Sequence, residues 1–141
     1  MNNPDYKRQS YTGALTFEKM SARFAPEVMA IFNYYAENSF AAYPEKKMPV
    51  EFYHHFLEMT KGYPAYVIKT KETIVGFGFL RAYNPFPVFN ETAEITYFVD
   101  KDYLGQGIGK QVLETLERDA VKMGIQTILA SITSINVQSV E

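Results

Sequence analysis

The sequence predicts a mixed α/β domain, with a mainly antiparallel sheet flanked by helices and the element order β-α-α-β-β-β-α-β. Three observations lead to this fold. Five short segments are rich in β-forming residues, and three longer ones repeat apolar residues at spacings of three and four. A polar turn joins two of the strand-like segments directly, which predicts an antiparallel hairpin. A helix separates the last two strands, as a crossover between parallel strands requires.

The first half of the chain predicts one strand and two helices. Residues 15–20 (LTFEKM) alternate apolar and polar side chains, as a half-buried strand does. Pro26 suits a first helical turn, and the helix is expected to run to about Glu37. Its apolar positions are Val28, Met29, Ile31, Phe32 and Tyr35. A second helix begins near Pro49, places Phe52, Phe56 and Met59 on one face, and ends at Gly62.

The second half predicts the remaining strands and one long helix. Residues 65–69 and 74–83 form the hairpin around the turn 70–73, and residues 84–91 form a loop with two prolines. Residues 92–99 (TAEITYFV) and 125–131 (IQTILAS) are the last two strands. The helix between them ends at Gly124 and carries one apolar stripe, made of Ile108, Val112, Leu113, Leu116, Ala120 and Met123.

Composition restricts the classes of protein that fit. A chain of 141 residues, 47% apolar and 21% charged, suits a single globular domain, and residues 1–13 are expected to be a loosely held arm. The net charge of −2 gives no reason to expect nucleic acid as a partner. No apolar run approaches the roughly 20 residues that span a membrane, so we expect a cytoplasmic protein without a membrane partner. There is no cysteine, and adjacent His54 and His55 do not predict a metal site.

The segment 103–110 (YLGQGIGK) contains three alternating glycines at the expected start of the long helix. Glycines at a helix start commonly let backbone N–H groups approach a phosphate. A Walker-type loop does not fit, because Leu104 stands where its first glycine belongs and Gln111 replaces its hydroxyl residue. A dinucleotide fingerprint does not fit either, because Lys110 replaces its third glycine.

A strand, a short turn and these glycines together resemble the signature of the GCN5-related N-acetyltransferase (GNAT) family. The family pattern Gln/Arg-x-x-Gly-x-Gly/Ala follows the fourth strand. Gly107 and Gly109 match its glycines, and Leu104 departs from its polar first residue. Residues 94–99 (EITYFV) look like the E-x-S-x-Y-V strand of the phosphinothricin-acetyltransferase-like branch, and residues 136–139 (NVQS) look like its N-x-x-S. The resemblance runs over nearly the whole chain from about Leu15.

The resemblance implies an N-acetyltransferase that transfers acetyl from acetyl-CoA to the primary amine of a small molecule, with an amino acid among the candidates. The alternative is a non-catalytic acyl-CoA-binding or regulatory module. The expected base is Glu94, acting through a water in an apolar environment that nearby aromatic residues provide. The main-chain N–H of Phe98 or Val99 is expected to polarise the thioester carbonyl.

The resemblance also implies the other site residues. The pantetheine is expected to pair with Tyr97, Phe98 and Val99. The pyrophosphate is expected to lie against the backbone of Gly105, Gln106, Gly107, Ile108, Gly109 and Lys110. Asn136 and Ser139 are further expected cofactor contacts. Apart from the resemblance, the position of four aromatics in loops predicts that they line the acceptor pocket or a dimer contact: Phe40, Tyr43, Phe86 and Phe89.

Two expectations concern the acceptor and the assembly. The loop 84–91 contains no arginine, whereas phosphinothricin-acetylating relatives have an arginine-containing segment there, so we expect a different acceptor. Arg81 is the nearest arginine and is expected to lie in a strand. The family fold continues past the N-x-x-S helix with a further strand pair, which we expect to be absent from these 141 residues. A second copy is expected to cover the exposed strand edge, giving a homodimer.

Overall fold

The computed structural model describes residues 15–38, 47–83, 86 and 91–130, and it confirms the predicted order of elements. The predicted arm, residues 1–13, lies outside this part of the chain. The strands are β1 (Thr16–Lys19), β2 (Ala65–Thr70), β3 (Thr73–Ala82), β4 (Thr92–Val99) and β5 (Thr127–Ala130). The helices are α1 (Ala25–Asn38), α2 (Tyr53–Met59) and α3 (Ile108–Lys122).

The five strands form one sheet in the order β1-β2-β3-β4-β5. Neighbouring strands are antiparallel except β4 and β5, which are parallel and are joined through α3. The predicted hairpin of β2 and β3 and the predicted parallel crossover are therefore both confirmed. This pairing makes β4 the one strand of the described sheet that has an antiparallel neighbour on one side and a parallel neighbour on the other.

Side chains alternate between the two faces of the sheet and divide the core into two layers. On one face, Phe77, Phe79 and Phe98 pack against α1 and α2. On the other face, Val75, Ile95, Tyr97 and Val99 pack against α3. Consecutive residues of β4 therefore contribute to opposite layers, as the alternation in its sequence predicts.

The layer under α1 and α2 is largely aromatic. Phe32 makes edge-on contacts with Phe56 and Phe98, at ring-centroid distances of 5.4 and 6.0 Å. Phe56 also contacts Phe77 and Phe79 at 5.9 and 5.4 Å. Aromatic pairs in this range add about 0.5–1.5 kcal/mol each beyond their burial. These contacts hold both helices against the centre of the sheet.

The opposite layer depends on the close approach of α3 to β3. Ile108, Val112, Leu116 and Ala120 are buried as the apolar stripe predicts, whereas Met123 is 43% exposed. Met123 was placed in the stripe wrongly, because α3 ends at Lys122 and the chain turns away there. Tyr66 of β2 donates a hydrogen bond to the carboxylate of Asp119 and links α3 to the second strand of the sheet. Burial raises the pKa of Tyr66 to about 12, so this hydroxyl remains a donor at neutral pH.

Gly78 of β3 allows this approach because it has no side chain. A Cβ at this position would lie 2.7 Å from Val112 Cγ1 and 3.0 Å from Tyr97 Cβ. We therefore expect Gly78→Ala to lower the free energy of unfolding by about 1–3 kcal/mol through overpacking. Urea denaturation of the variant measures this loss.

A double variant tests the cause of that loss. Val112→Ala removes the nearest atom, so Gly78→Ala/Val112→Ala should lose less stability than the sum of the single variants. Strictly additive losses would show that α3 does not press on this position.

Candidate active site

The end of β4 has one side of its backbone engaged with β3, and its other side faces away from β3. The N–H of Asp100 donates to the carbonyl of Val75 at 2.8 Å, and such bonded positions alternate along an antiparallel ladder. The backbone groups of Phe98 therefore face β3, paired with Phe77, while those of Val99 face away. The backbone N–H groups of Phe98 and Val99 are the two predicted to polarise a carbonyl. Because the Phe98 group is directed at β3, only the Val99 group is directed so that it could contact a ligand.

β5 accompanies only the first half of β4. It pairs with Thr92–Ile95, and within the described residues no strand continues beside residues 96–99. The Val99 N–H lies on the side of β4 that faces away from β3, beyond the last pair with β5. The pairing of a pantetheine arm with Tyr97, Phe98 and Val99 stays a prediction, and the position that this arm would take beside residues 96–99 is called the cleft below.

Tyr35 of α1 fixes the carbonyl at the end of β4. Its hydroxyl donates a hydrogen bond of 2.6 Å to the carbonyl of Val99, and its ring stacks on Phe98 at 5.4 Å. The sequence pattern indicates a core residue here, and Tyr35 is buried. Its link to the site was not predictable, because the acceptor carbonyl lies 64 residues further along the chain.

The glycine segment adopts the backbone conformation that its residues permit. Gly105 and Gly107 have φ values of +77° and +81°, in the left-handed region that favours glycine. Gly107 is the N-cap of α3, no side chain caps it, and the first turn contains no acidic residue. A Cβ at Gly107 would meet no protein atom within 4 Å. The space beside the helix start is therefore open.

The loop before this helix is held by Asp100. Its side chain accepts the N–H of Asp102 at 2.8 Å, and its carbonyl accepts the N–H of Tyr103 at 2.9 Å. The first helical bond runs from the N–H of Gln111 to the carbonyl of Gly107 at 3.2 Å. The N–H groups before Gln111, those of Ile108, Gly109 and Lys110, have no acceptor within the helix. They form the positive end of α3 beside the end of β4.

Glu94 lies in the middle of β4, on the face covered by α1 and α2. The expectation of an apolar environment for it was wrong, because its Oε1 pairs with Nη2 of Arg81 on β3. The two residues are direct cross-strand neighbours, and their side chains are 23% and 39% exposed. Periodicity places Arg81 in a strand but does not reveal this partner, because the register between β3 and β4 is set only in the folded sheet.

The other predicted site residues are only partly described. Phe86 is 65% exposed. Phe40, Tyr43, Phe89, Asn136 and Ser139 lie outside the described residues, so their predicted roles stay predictions. A cavity of about 830 Å³ adjoins the end of β4, where Asp100 and Lys101 line it opposite the α1 residues Tyr34 and Glu37.

The described ranges contain no cluster of three or more His, Cys, Asp or Glu side chains able to hold a metal ion. No helix among them is both long enough and apolar enough to cross a membrane.

Comparison with known proteins agrees with this geometry. A family model described as the acetyltransferase (GNAT) family matches residues 28–141. The chain is 27% identical over 118 residues to an L-methionine sulfoximine/L-methionine sulfone acetyltransferase of Pseudomonas aeruginosa, and the match covers 82% of this chain and 69% of the relative.

Solved structures share the fold. The crystal structure of a GNAT superfamily phosphinothricin acetyltransferase from Sinorhizobium meliloti, in complex with AcCoA, matches with a TM-score of 0.78 and 21% identity. That match covers 89% of this chain and 72% of the other chain. An N-acetyltransferase from Staphylococcus aureus Mu50 matches with a TM-score of 0.78 and 22% identity, over 90% of this chain and 81% of the other.

The hydrogen bond from Tyr35 to Val99 can be tested against a matched one. Tyr53 donates a similar bond of 2.7 Å to the carbonyl of Ser21, away from the cleft. Burial raises the pKa of the Tyr53 hydroxyl, so Tyr53 acts as a neutral donor. Tyr35→Phe and Tyr53→Phe should each lower the free energy of unfolding by about 0.5–1.5 kcal/mol.

Ligand binding should separate the two variants. Tyr35→Phe releases the end of β4, so calorimetric titration should show acetyl-CoA binding weakened severalfold, whereas Tyr53→Phe should bind as the parent does. Equal affinities in all three proteins would show that the Tyr35 bond serves only the fold.

Proposed function

Because this chain belongs to the acetyltransferase (GNAT) family, we propose that it transfers the acetyl group of acetyl-CoA to the primary amine of a small molecule. Family membership confirms the expected enzyme class, an acetyltransferase, and agrees with acetyl-CoA as the expected cofactor. The observation that carries the finer proposal is the uncapped start of α3, which follows the end of β4, where the described residues pair with β3 alone.

The N-terminal end of α3 has the free space and the partial positive charge that a bound diphosphate group requires. Gly107 holds a positive φ and leaves open the space that a Cβ would occupy, and the backbone N–H groups of Ile108, Gly109 and Lys110 point out of the helix end. No acidic residue in the first turn opposes a negative charge. These residues, with Gly105 and Gln106, would hold the pyrophosphate of coenzyme A. Lys110 is exposed and contributes its backbone in this proposal.

The end of β4 would align the thioester. Bound acetyl-CoA supplies an activated acetyl carbonyl. The backbone N–H of Val99 faces the cleft and would donate to that carbonyl oxygen, which becomes more negative as the amine attacks. Tyr35 keeps this peptide in place by holding the neighbouring carbonyl. The new C–N bond forms as the C–S bond breaks, and the amine must also lose a proton.

Glu94 would accept that proton through water. Val99 follows Glu94 by five positions, which corresponds to about 16 Å along an extended strand. This distance exceeds the reach of a side chain, so ordered water must carry the proton from the amine to the carboxylate. The paired carboxylate of Glu94 is partly exposed, so such water can reach it.

The acceptor we propose is an amino acid or a close analogue. Support comes from the name of the Pseudomonas aeruginosa relative, whose substrates are derivatives of L-methionine. Acetyl-CoA turnover against a panel of primary amines, followed by released thiol, tests this proposal. Binding of acetyl-CoA without turnover on any amine would favour the alternative, a non-catalytic acyl-CoA-binding module.

The predicted homodimer and the predicted cytoplasmic location stay predictions. A partner copy remains our proposal because Thr127, Leu129 and Ala130 of β5 are exposed in the described chain.

Glu94→Gln tests the proposed base. The amide keeps the shape of the side chain but accepts no proton at neutral pH, so kcat should fall by about 10²–10⁴-fold. The affinity for acetyl-CoA should change little, because Glu94 lies far from the start of α3. The control is Glu91→Gln, an exposed glutamate just before β4, which should keep the parent kcat. Full activity in Glu94→Gln would remove Glu94 from the mechanism.

Gly107→Ala tests the phosphate site, and the chain offers a matched control in Gly124. Gly107 and Gly124 have φ values of +81° and +82°, and a Cβ at either would meet no protein atom within 4 Å. Both alanine variants should therefore lose similar stability from backbone strain, about 1 kcal/mol. Only Gly107→Ala should weaken binding of coenzyme A in titration calorimetry. Equal binding by both variants would place the pyrophosphate elsewhere.

A further inference from the structure

The pair of Arg81 and Glu94 joins the proposed base to the neighbouring strand. Arg81 Nη2 meets Glu94 Oε1, and the two residues stand directly opposite each other in the register of β3 and β4. Directly opposed residues have their Cβ atoms about 4.5–5.5 Å apart, so the pair is built by the sheet itself. Neither side chain needs a loop to bring it into place.

The ion pair of Arg81 and Glu94 is expected to add little to the stability of the folded protein. The Arg81 side chain is 39% exposed and that of Glu94 is 23% exposed. Ion pairs so accessible to water contribute little to the folded state, because water screens the charges and both side chains lose freedom. The described chain holds a second exposed arginine–glutamate pair, Arg23 with Glu18, near β1 and remote from the cleft.

The pair does restrict the direction of the Glu94 carboxylate. A glutamate on a strand has several rotamers, and a fixed partner on one oxygen selects among them. The second oxygen of the carboxylate can still accept a hydrogen bond from water. Because the proposed proton path runs through water over a long distance, its efficiency depends on where that second oxygen points.

We propose that Arg81 is a positioning residue for the acetyl-transfer reaction: its guanidinium holds the Glu94 carboxylate in the orientation that receives the proton of the acceptor amine through water. This inference rests on the proposed role of Glu94 as the base. Arg81 acts through Glu94 and therefore has no effect of its own once Glu94 cannot accept a proton. The planar guanidinium restrains a carboxylate better than an ammonium group does, because it offers donors in a fixed plane.

The first arm of the test separates positioning from stability. Arg81→Met keeps the apolar stem and removes the donors, and its kcat should fall by about 10–100-fold with the KM for acetyl-CoA within about twofold. Arg81→Lys should recover part of the lost kcat. The control Arg23→Met also breaks an exposed ion pair but should keep the parent kcat. The urea midpoints of Arg81→Met and Arg23→Met should be similar, whereas an unchanged kcat in Arg81→Met would overturn the inference.

The second arm is a double-variant cycle. In the Glu94→Gln background, Arg81→Met should lower kcat no further, because the residue through which it acts is already disabled. If the two losses multiply instead, Arg81 acts on another group and the inference is overturned. If Glu94→Gln alone keeps full activity, the proposed base is wrong, and this result is distinct from a failure of Arg81.

Discussion

The uneven pairing of β4 is the constraint on which the proposed site depends. From Ala93 to Val99 β4 pairs with β3, which fixes its position and twist. Within the described residues β5 accompanies only its first four residues, Thr92–Ile95, on the other side. A strand that is held on one side can present the backbone groups of its other side, such as the Val99 N–H, to a ligand without losing its shape. The same strand carries Glu94, so the sheet fixes the spacing between the proposed base and the cleft.

Rigidity at β4 comes from packing on both of its faces. The aromatic layer holds Phe98 between α1 and the sheet, and Tyr35 adds a hydrogen bond at the strand end. On the opposite face α3 presses on Gly78, where no side chain separates helix and strand. The helix therefore starts at a defined place beside the end of β4. The position of the glycine segment is a consequence of the core as well as of its own residues.

The sequence predicts the secondary-structure elements and the glycine segment correctly because both are determined by residues that are close together in the chain. Apolar periods and β-rich composition identify the three α-helices and the five strands, and the left-handed φ of Gly105 and Gly107 agrees with a segment that requires glycine. The surroundings of Glu94 were predicted wrongly because they depend on register. Arg81 meets Glu94 only after β3 and β4 pair, and a shift of one residue would turn Arg81 to the other face. The hydroxyl of Tyr35 likewise has a partner that only the folded chain brings near.

The pairing of Glu94 changes what its proposed chemistry requires of the surroundings. A base in an apolar pocket has few water molecules near it to carry a proton. A base beside an arginine at a partly exposed position is accessible to water, which the proposed proton transfer requires because Glu94 and Val99 are about 16 Å apart along the strand. The proposed proton transfer therefore requires both that water reaches Glu94 and that the Glu94 carboxylate keeps one orientation. The sheet meets both, because β3 supplies the restraint while the partly exposed side chains remain accessible to solvent.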